Sequence, residues 1–354
     1  MNAAYLRVIV ASDSERRDLF LAAANRVGTT VQNIEKDFWV CWTLDALFNG
    51  LKLGGPRLLF KGGTSLSKAY GLISRFSEDI DVTVFREDIG QPVSVAELEA
   101  LSSKQRKKRL DAIKHACQAF IAGPLRDELS DIAARAMIDA GRKTEELRIL
   151  PAEDDPDRQS LLVAYPSAVE RSDYVRPAVK IESGAKSALD PHAAQTIIPY
   201  LAEDLATGND LSIPNITTVD PERTFLDKIV ILHGLRHWFE QKGELRGGGQ
   251  RVSRHYYDIH RMMESPAGEK GLEDRALIGD VVRHARIFFY RRELGLETAE
   301  PGTFTLSPND GMIDALRRDY AAMSSMIFGT IPSFDGVLES IRSAEQKLNA
   351  VSRI

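Results

Sequence analysis

The chain has 354 residues, a length that exceeds one ordinary domain and predicts two packed units. Hydrophobic residues make up 43% and charged residues 27%, the balance of a globular protein, and the net charge of −5 excludes a global basic field while leaving room for a local basic face. Cys41 and Cys117 lack metal-ligand spacing and exclude a disulfide framework, residues 1–16 lack the basic start and apolar core of a signal peptide, and no apolar run reaches the roughly 18 residues of a membrane span, so a cytoplasmic setting without membrane contact is expected.

The first clear helix is predicted near Asn33 to Asn49, where Ile34, Phe38, Cys41 and Trp42 recur at helical spacing. Gly54-Gly55-Pro56 breaks the chain. Arg57 to Phe60 reads as a short buried strand, Gly62-Gly63 as a tight turn, and Thr64 to Ile73 as a helix with Thr64 as its cap. Ile80 to Phe85 reads as a second strand with Asp79 at its mouth. Val93 to Arg148 reads as polar helix and Pro151 to Pro156 as an acidic loop. Leu161 to Tyr165 and Val175 to Glu182 read as further strands. After Asp220-Pro221 the pattern turns helical, with candidates at Pro221 to Gln241, His255 to Glu264, Leu277 to Glu293 and Phe334 to Val351. The expected class is α+β: a mixed sheet flanked by helices over residues 1–215, then a helical domain over 216–354.

Two glycines let a backbone approach a ligand closely, and the helix that follows aims its N–H groups at whatever sits there. Gly62, Gly63, Thr64 and Ser65 are therefore a phosphate cradle in kind, although a Gly-Gly turn before a helix is by itself more often only a turn. Asp79 and Asp81 lie two apart in a strand and face one side. Two such carboxylates repel unless a cation sits between them, which points to Mg²⁺, although Asp-x-Asp alone is common. The combination is more specific than its parts: strand, turn, helix and second strand form one unit with cradle and acids on one sheet edge. Glu182 is the candidate third carboxylate, ending the apolar run Ala178-Val179-Lys180-Ile181, and Lys180 shares its face. An edge strand whose Lys180 and Glu182 meet solvent remains the alternative. There is no His-Glu-x-x-His pattern and no Gly-x-Ser-x-Gly elbow.

Lys61-Gly62-Gly63-Thr64-Ser65-Leu66-Ser67-Lys68 followed by Arg75-Phe76-Ser77-Glu78-Asp79-Ile80-Asp81 resembles the AbiEii/AbiGii toxin family, part of the DNA polymerase β-like nucleotidyltransferase superfamily that includes the MenT toxins. Ile34-Glu35-Lys36-Asp37-Phe38-Trp39-Val40 is similar to the N-terminal helix of some members. Val179 to Glu182 resembles the strand bearing the third acid. Phe225-Leu226-Asp227-Lys228 and Arg254-His255-Tyr256-Tyr257-Asp258 resemble the later motifs, so the likeness runs from about residue 33 to 262. One departure is the longer insertion, residues 65–78, between Thr64 and Asp79.

The resemblance implies a polymerase β-like fold and transfer of a nucleotide from an NTP to an acceptor hydroxyl. Asp79, Asp81 and Glu182 would hold Mg²⁺. Gly62, Gly63, Thr64, Ser65 and Lys68 would contact the nucleotide. Lys180 would offset charge, with Lys68 and Lys228 as alternatives, and Asp227 would orient a lysine. It further implies a toxin of a toxin–antitoxin or phage-defence system, with a cognate antitoxin partner and a tRNA 3′ end as acceptor. Candidate RNA contacts are Arg251, Arg254, Arg283 and Arg286, with Arg291, Arg292 and the Lys104 to Arg109 run as further basic candidates, although each such cluster is more often a solvated helix face. Transfer to a protein or small molecule, or an inactive nucleotide-binding module, are the competing readings.

Overall fold

The computed structural model describes residues 1–169, 177–205, 210–249 and 251–350. In chain order the elements begin with helices α1 (Ala4–Val10), α2 (Asp13–Val27) and α3 (Val31–Asp45), strand β1 (Leu58–Lys61), helix α4 (Gly62–Lys68) and strand β2 (Asp79–Val84). Helices α5 (Val95–Ala100), α6 (Ser103–Phe120) and α7 (Arg126–Asp139) follow. Next come strands β3 (Arg148–Pro151), β4 (Ser160–Ala164), β5 (Ala178–Gly184), β6 (His192–Ile197) and β7 (Ile213–Val219). The remainder is helical: α8 (Pro221–Lys242), α9 (Ser253–Met263), α10 (Pro266–Glu273), α11 (Arg275–Phe288), α12 (Asp310–Met323) and α13 (Phe334–Asn349).

The chain divides into two compact units. The first comprises Met1–Ala69, Phe76–Val93 and Ser103–Val219; the second comprises Tyr70–Arg75, Ser94–Ser102 and Asp220–Ile354. The first unit holds one seven-stranded sheet in the order β3-β4-β5-β2-β1-β7-β6. It is mixed: β2 runs parallel to β5 and β1 parallel to β7, while the other neighbours are antiparallel. The class is thus α+β with a helical C-terminal region.

Helix α3 organises the first unit. Every residue from Ile34 to Leu47 is buried, and α3 packs against β2, β5 and β7. Phe38, Trp39 and Trp42 form a run of ring contacts with Tyr5, Phe20 and Tyr165; the Trp39 and Tyr165 rings stack at 5.3 Å. Burying such aromatic side chains against a sheet supplies much of the apolar stabilisation. On the sheet, Ile80, Val82, Val179 and Ile181 are buried, while the alternate positions Asp79, Asp81, Lys180 and Glu182 are only partly covered. The period of two therefore separates a core face from a polar face.

Several expectations need adjustment. The helix expected to run from Thr64 to Ile73 spans only Gly62–Lys68, and its cap is Lys61, not Thr64. Thr64 lies inside the first turn with its hydroxyl turned inward. The stretch read as helix to Arg148 ends in β3, and β6 and β7 lie where no strand was expected. Strand β6 is a polar edge, His-Ala-Ala-Gln-Thr-Ile, and β7 carries Pro214 and Asn215 at φ 62°, so neither shows the apolar alternation that marks a strand. Helix α2 was missed although Ser12 and Glu15 form a reciprocal capping box. Residues 175 and 176 of the expected strand and residue 351 of the last helix lie outside the described residues.

The second unit is built on α8, with α9, α10 and α11 packed against it and α13 on α9. Its centre is ionic. Asp258 in α9 is fully buried and accepts from Arg75 Nε at 2.7 Å and from an Arg75 terminal nitrogen at 2.8 Å, with Lys228 Nζ at 2.9 Å.

Candidate active site

Strand β1 ends at Lys61, which stands opposite Asp81 across the antiparallel β1–β2 pair. The chain then turns through Gly62 at φ +80° into α4. The turn presses on Asp81: a Cβ built on Gly62 would lie 2.1 Å from Asp81 Oδ2. Only glycine satisfies both the left-handed backbone and this approach. Gly62→Ala is therefore expected to displace Asp81 and to cut the nucleotide transfer that the family resemblance implies on the order of 10²-fold, while leaving the far-ultraviolet circular dichroism unchanged, because misplacing a group at a reacting centre by an ångström costs that much. Full activity in that variant would show that Asp81 position is not critical.

On the other side β2 pairs in parallel with β5, setting Asp79 beside Lys180 and Asp81 beside Glu182. The four side chains share one face. Asp79 is largely buried, and its pKa is pushed up to about 6 by that burial and by the charges of Glu78, Glu182 and Asp81, with Lys36 pulling in the opposite direction. Lys180 lies 3.3 Å from Glu182 Oε1 and 3.1 Å from Asp154 Oδ2. Burial disfavours its charge, but these two acids outweigh that and raise its pKa. Lys61 Nζ lies 3.8 Å from Asp81 Oδ1.

The hydroxyls of the turn are committed to the protein. Thr64 Oγ1 donates to the Asp79 carbonyl and lies 2.8 Å from Ser77 Oγ, so it ties α4 to the mouth of β2. Ser65 Oγ donates to the Gly62 carbonyl at 2.9 Å. Both residues are fully buried. Lys68, expected among the nucleotide contacts, is also sealed: its side chain is 4% exposed, pairs with Asp37 Oδ1 at 2.7 Å and lies over the Tyr200 ring at 3.7 Å. Burial works against its charge, and Asp37 with the neighbouring Cys41 and Tyr200 more than compensates. What the turn offers a ligand is thus backbone at Gly62 and Gly63, together with whatever cations stand beside it.

Three consecutive charges in α3 hold this arrangement. Glu35 accepts from Ser167 Oγ at 2.5 Å and Ala168 N at 2.6 Å; Lys36 pairs with Glu78 at 2.5 Å; Asp37 pairs with Lys68 and accepts from Tyr200 N at 2.7 Å. One turn of helix therefore pins the segment after β4, the entry to β2 and the end of α4. Three adjacent charges inside an otherwise apolar helix were the available signal, since buried charges survive only when paired.

Among the described residues, no three carboxylate, histidine or cysteine side chains converge on one point as they stand. Asp81 leans to Lys61 and Glu182 to Lys180 instead. The residues nonetheless fit a hard divalent cation: three carboxylates sit on one face of two adjacent strands, and such a cation would offset the burial first, and the like charges second, that raise the Asp79 pKa.

The remaining candidates lie in the second unit. Asp227 is exposed, with Arg223 Nε at 3.7 Å. Lys228 belongs to the buried Asp258 cluster. Arg251 is exposed at φ 60°, its N–H bonded to Asp319, and Arg254 is half-buried. Arg283 is paired with Glu99. Arg286 donates to the carbonyls of Leu296 and Glu297 and to Glu300, which binds it to the loop after α11. Arg283 and Arg286, expected as RNA contacts, thus have acidic partners already.

No curated protein matches the sequence. The profile described as nucleotidyl transferase AbiEii toxin, type IV TA system, matches residues 45–340, spanning the Gly62 turn, both acidic strands and most of the helical unit. Among solved structures, MenT4, a nucleotidyltransferase toxin from Mycobacterium tuberculosis H37Rv, superposes with a TM-score of 0.51 at 15% identity, covering 95% of this chain and 90% of that one, which supports the fold. With a strand–turn–helix–strand unit that seats Asp81 against Gly62 and beside Glu182, and a family match over most of its length, the chain belongs to the AbiEii nucleotidyltransferase toxins of type IV toxin–antitoxin systems.

Proposed function

We propose that the protein transfers a nucleoside monophosphate from an NTP to the 3′ hydroxyl of a tRNA, with Asp79, Asp81 and Glu182 as ligands of Mg²⁺. The observation that carries this reading is the register of β1, β2 and β5, which gathers three acids and two lysines beside a glycine turn. Mg²⁺ held there would supply Lewis-acid activation of the phosphates and of the attacking hydroxyl. Glu182, with its side chain 43% exposed, can turn from Lys180 and accept the proton of the acceptor hydroxyl. Lys180 then faces the charge that grows on the phosphate oxygens as the bond to pyrophosphate breaks. The backbone of Gly62 and Gly63 positions the triphosphate against Asp81.

The toxin class implies a protein antitoxin as partner, and a tRNA acceptor agrees with the reading of the chain as a growth-arresting enzyme acting in the cytoplasm. Among the described residues no helix is long and apolar enough to cross a membrane.

The test is incubation with each labelled NTP, Mg²⁺ and total RNA. Label in a tRNA-sized band that disappears with Asp81→Ala is expected. Label on protein with none on RNA would replace the tRNA acceptor by a protein side chain. Substituting alanine for Arg283 and Arg286 is expected to change RNA affinity less than twofold at any salt concentration, because both are already paired. A steep loss would restore them as phosphate contacts.

A further inference from the structure

Four lysines surround the glycine turn and the acidic strands, and they are not equivalent. Lys36 and Lys68 are sealed, with side chains 6% and 4% exposed, each in a short ion pair, to the half-buried Glu78 and the buried Asp37. Removing Lys68 would strand the buried Asp37 carboxylate, and removing Lys36 would leave the half-buried Glu78 without its cation, so their work is structural. Lys180 is 22% exposed and held by two acids. Lys61 is the most open, at 28%, and among the described residues its one ion-pair partner is Asp81, at 3.8 Å. That separation is the outer edge of an ion pair, and such pairs in water-accessible positions are weak and exchange readily.

Position makes the difference useful. Lys61 and Asp81 are directly opposed across the β1–β2 pair, so their side chains occupy one face. Lys61 is also the residue immediately before Gly62, at the turn that the triphosphate reading places against phosphate. Thr64 and Ser65, the hydroxyls that would otherwise serve there, are buried and bonded to backbone. A polyanion arriving at this turn needs a cation close by, and Lys61 is the one whose partner is about to be claimed.

We propose that Lys61 is a phosphate-binding residue that changes partner: its ammonium neutralises Asp81 in the empty site and passes to the triphosphate once a divalent cation takes the Asp81 carboxylate. This rests on the reading of the acidic strands as the metal–NTP site. The exchange conserves pairing. Asp81 trades a monovalent for a divalent cation, and Lys61 trades a carboxylate for phosphate oxygens, for which a lysine is a suitable point-charge partner. Metal and nucleotide binding are thereby coupled through one side chain, each favouring the other. Lys61, 28% exposed, and not the sealed Lys68, is thus the lysine that meets the nucleotide phosphates.

The prediction has two effects of opposite sign. In Lys61→Met, Mn²⁺ alone, titrated by electron paramagnetic resonance without nucleotide, is expected to bind about threefold tighter or more, because the internal competitor is gone. A non-hydrolysable NTP analogue, titrated with Mn²⁺ saturating, is expected to bind about tenfold weaker. Lys61→Arg should keep nucleotide binding within about threefold of the wild type, since the charge is retained. Unchanged nucleotide affinity in Lys61→Met would overturn the proposal, as would weaker Mn²⁺ binding. The wild-type chain gives a second measurement that needs no folded variant: amine-reactive labelling at Lys61, read by mass spectrometry, should rise with Mn²⁺ alone and fall when the analogue is added. A labelling level indifferent to both ligands would refute the exchange. If the wild type binds no NTP analogue and transfers no label, the metal–NTP reading falls and this proposal with it; if it does both while Lys61→Met keeps its affinity, this proposal alone fails.

Discussion

Asp79→Asn is expected to lower nucleotide transfer on the order of 10³-fold and, in the metal-free chain at neutral pH, to raise the melting temperature by several degrees. Both effects have one cause. Burial and the charges of Glu78, Glu182 and Asp81 push the Asp79 pKa up to about 6 from 3.8. A group whose folded pKa is raised contributes stability below its unfolded value and loses it as pH rises through the folded one. Between about pH 4 and pH 6 the metal-free fold therefore weakens, and above pH 6 the charge costs roughly 2–3 kcal/mol. Asparagine removes that cost and the metal ligand together. A divalent cation reverses the balance in the wild type, because it binds the ionised carboxylate. Mg²⁺ should stabilise the wild type at pH 8, much less at pH 5, and the variant at neither. Thermal melts with and without Mg²⁺ at both pH values check this. A variant that melts below the wild type without metal, yet still gains from Mg²⁺, would place the ion elsewhere.

Asp258→Ala is expected to destabilise the protein by about 3–5 kcal/mol, the largest loss foreseen for any single charge. The carboxylate is fully buried and holds Arg75 through two hydrogen bonds and Lys228 through a third contact. Without it two buried cations lose the carboxylate that they share. Burial works against ionisation of Asp258, and Arg75 and Lys228 overcome it, holding the pKa far below the usual carboxylate range. A depressed pKa contributes stability that is present above about pH 4 and lost as pH falls toward the folded value, so the second unit should unfold in acid. Lys228→Met leaves the paired Arg75 in place and should cost less, about 1–3 kcal/mol. Denaturant unfolding of the two variants at pH 7 measures the difference. Equal losses would mean that Lys228, not Arg75, carries the cluster.

Much of the chain is legible without coordinates. The α+β class and the AbiEii family both follow from local signals: hydrophobic alternation at Ile80 and Val82, glycines 62 and 63, and an ordered series of motifs. Strands β6 and β7 and helix α2 escaped because a polar edge, a strand interrupted by Pro214 and Asn215, and a charge-rich helix carry little apolar periodicity.

By itself the sequence determined which residues lie two apart on a strand, hence that Asp79 shares a face with Asp81 and Lys180 with Glu182. It also marked where glycine lets the chain turn. Those are properties of neighbouring positions, dictated by the period of a strand and the freedom of one residue type. Only the tertiary structure decided that Asp81 meets Glu182 and Lys61, that Lys68 is shut against Asp37 and Lys36 against Glu78, and that Arg75 reaches Asp258 from 183 residues away. A lysine has the same stem and charge wherever it stands. Whether it neutralises a buried acid or waits at the surface for a phosphate depends on what distant segments bring beside it and on how much water they leave.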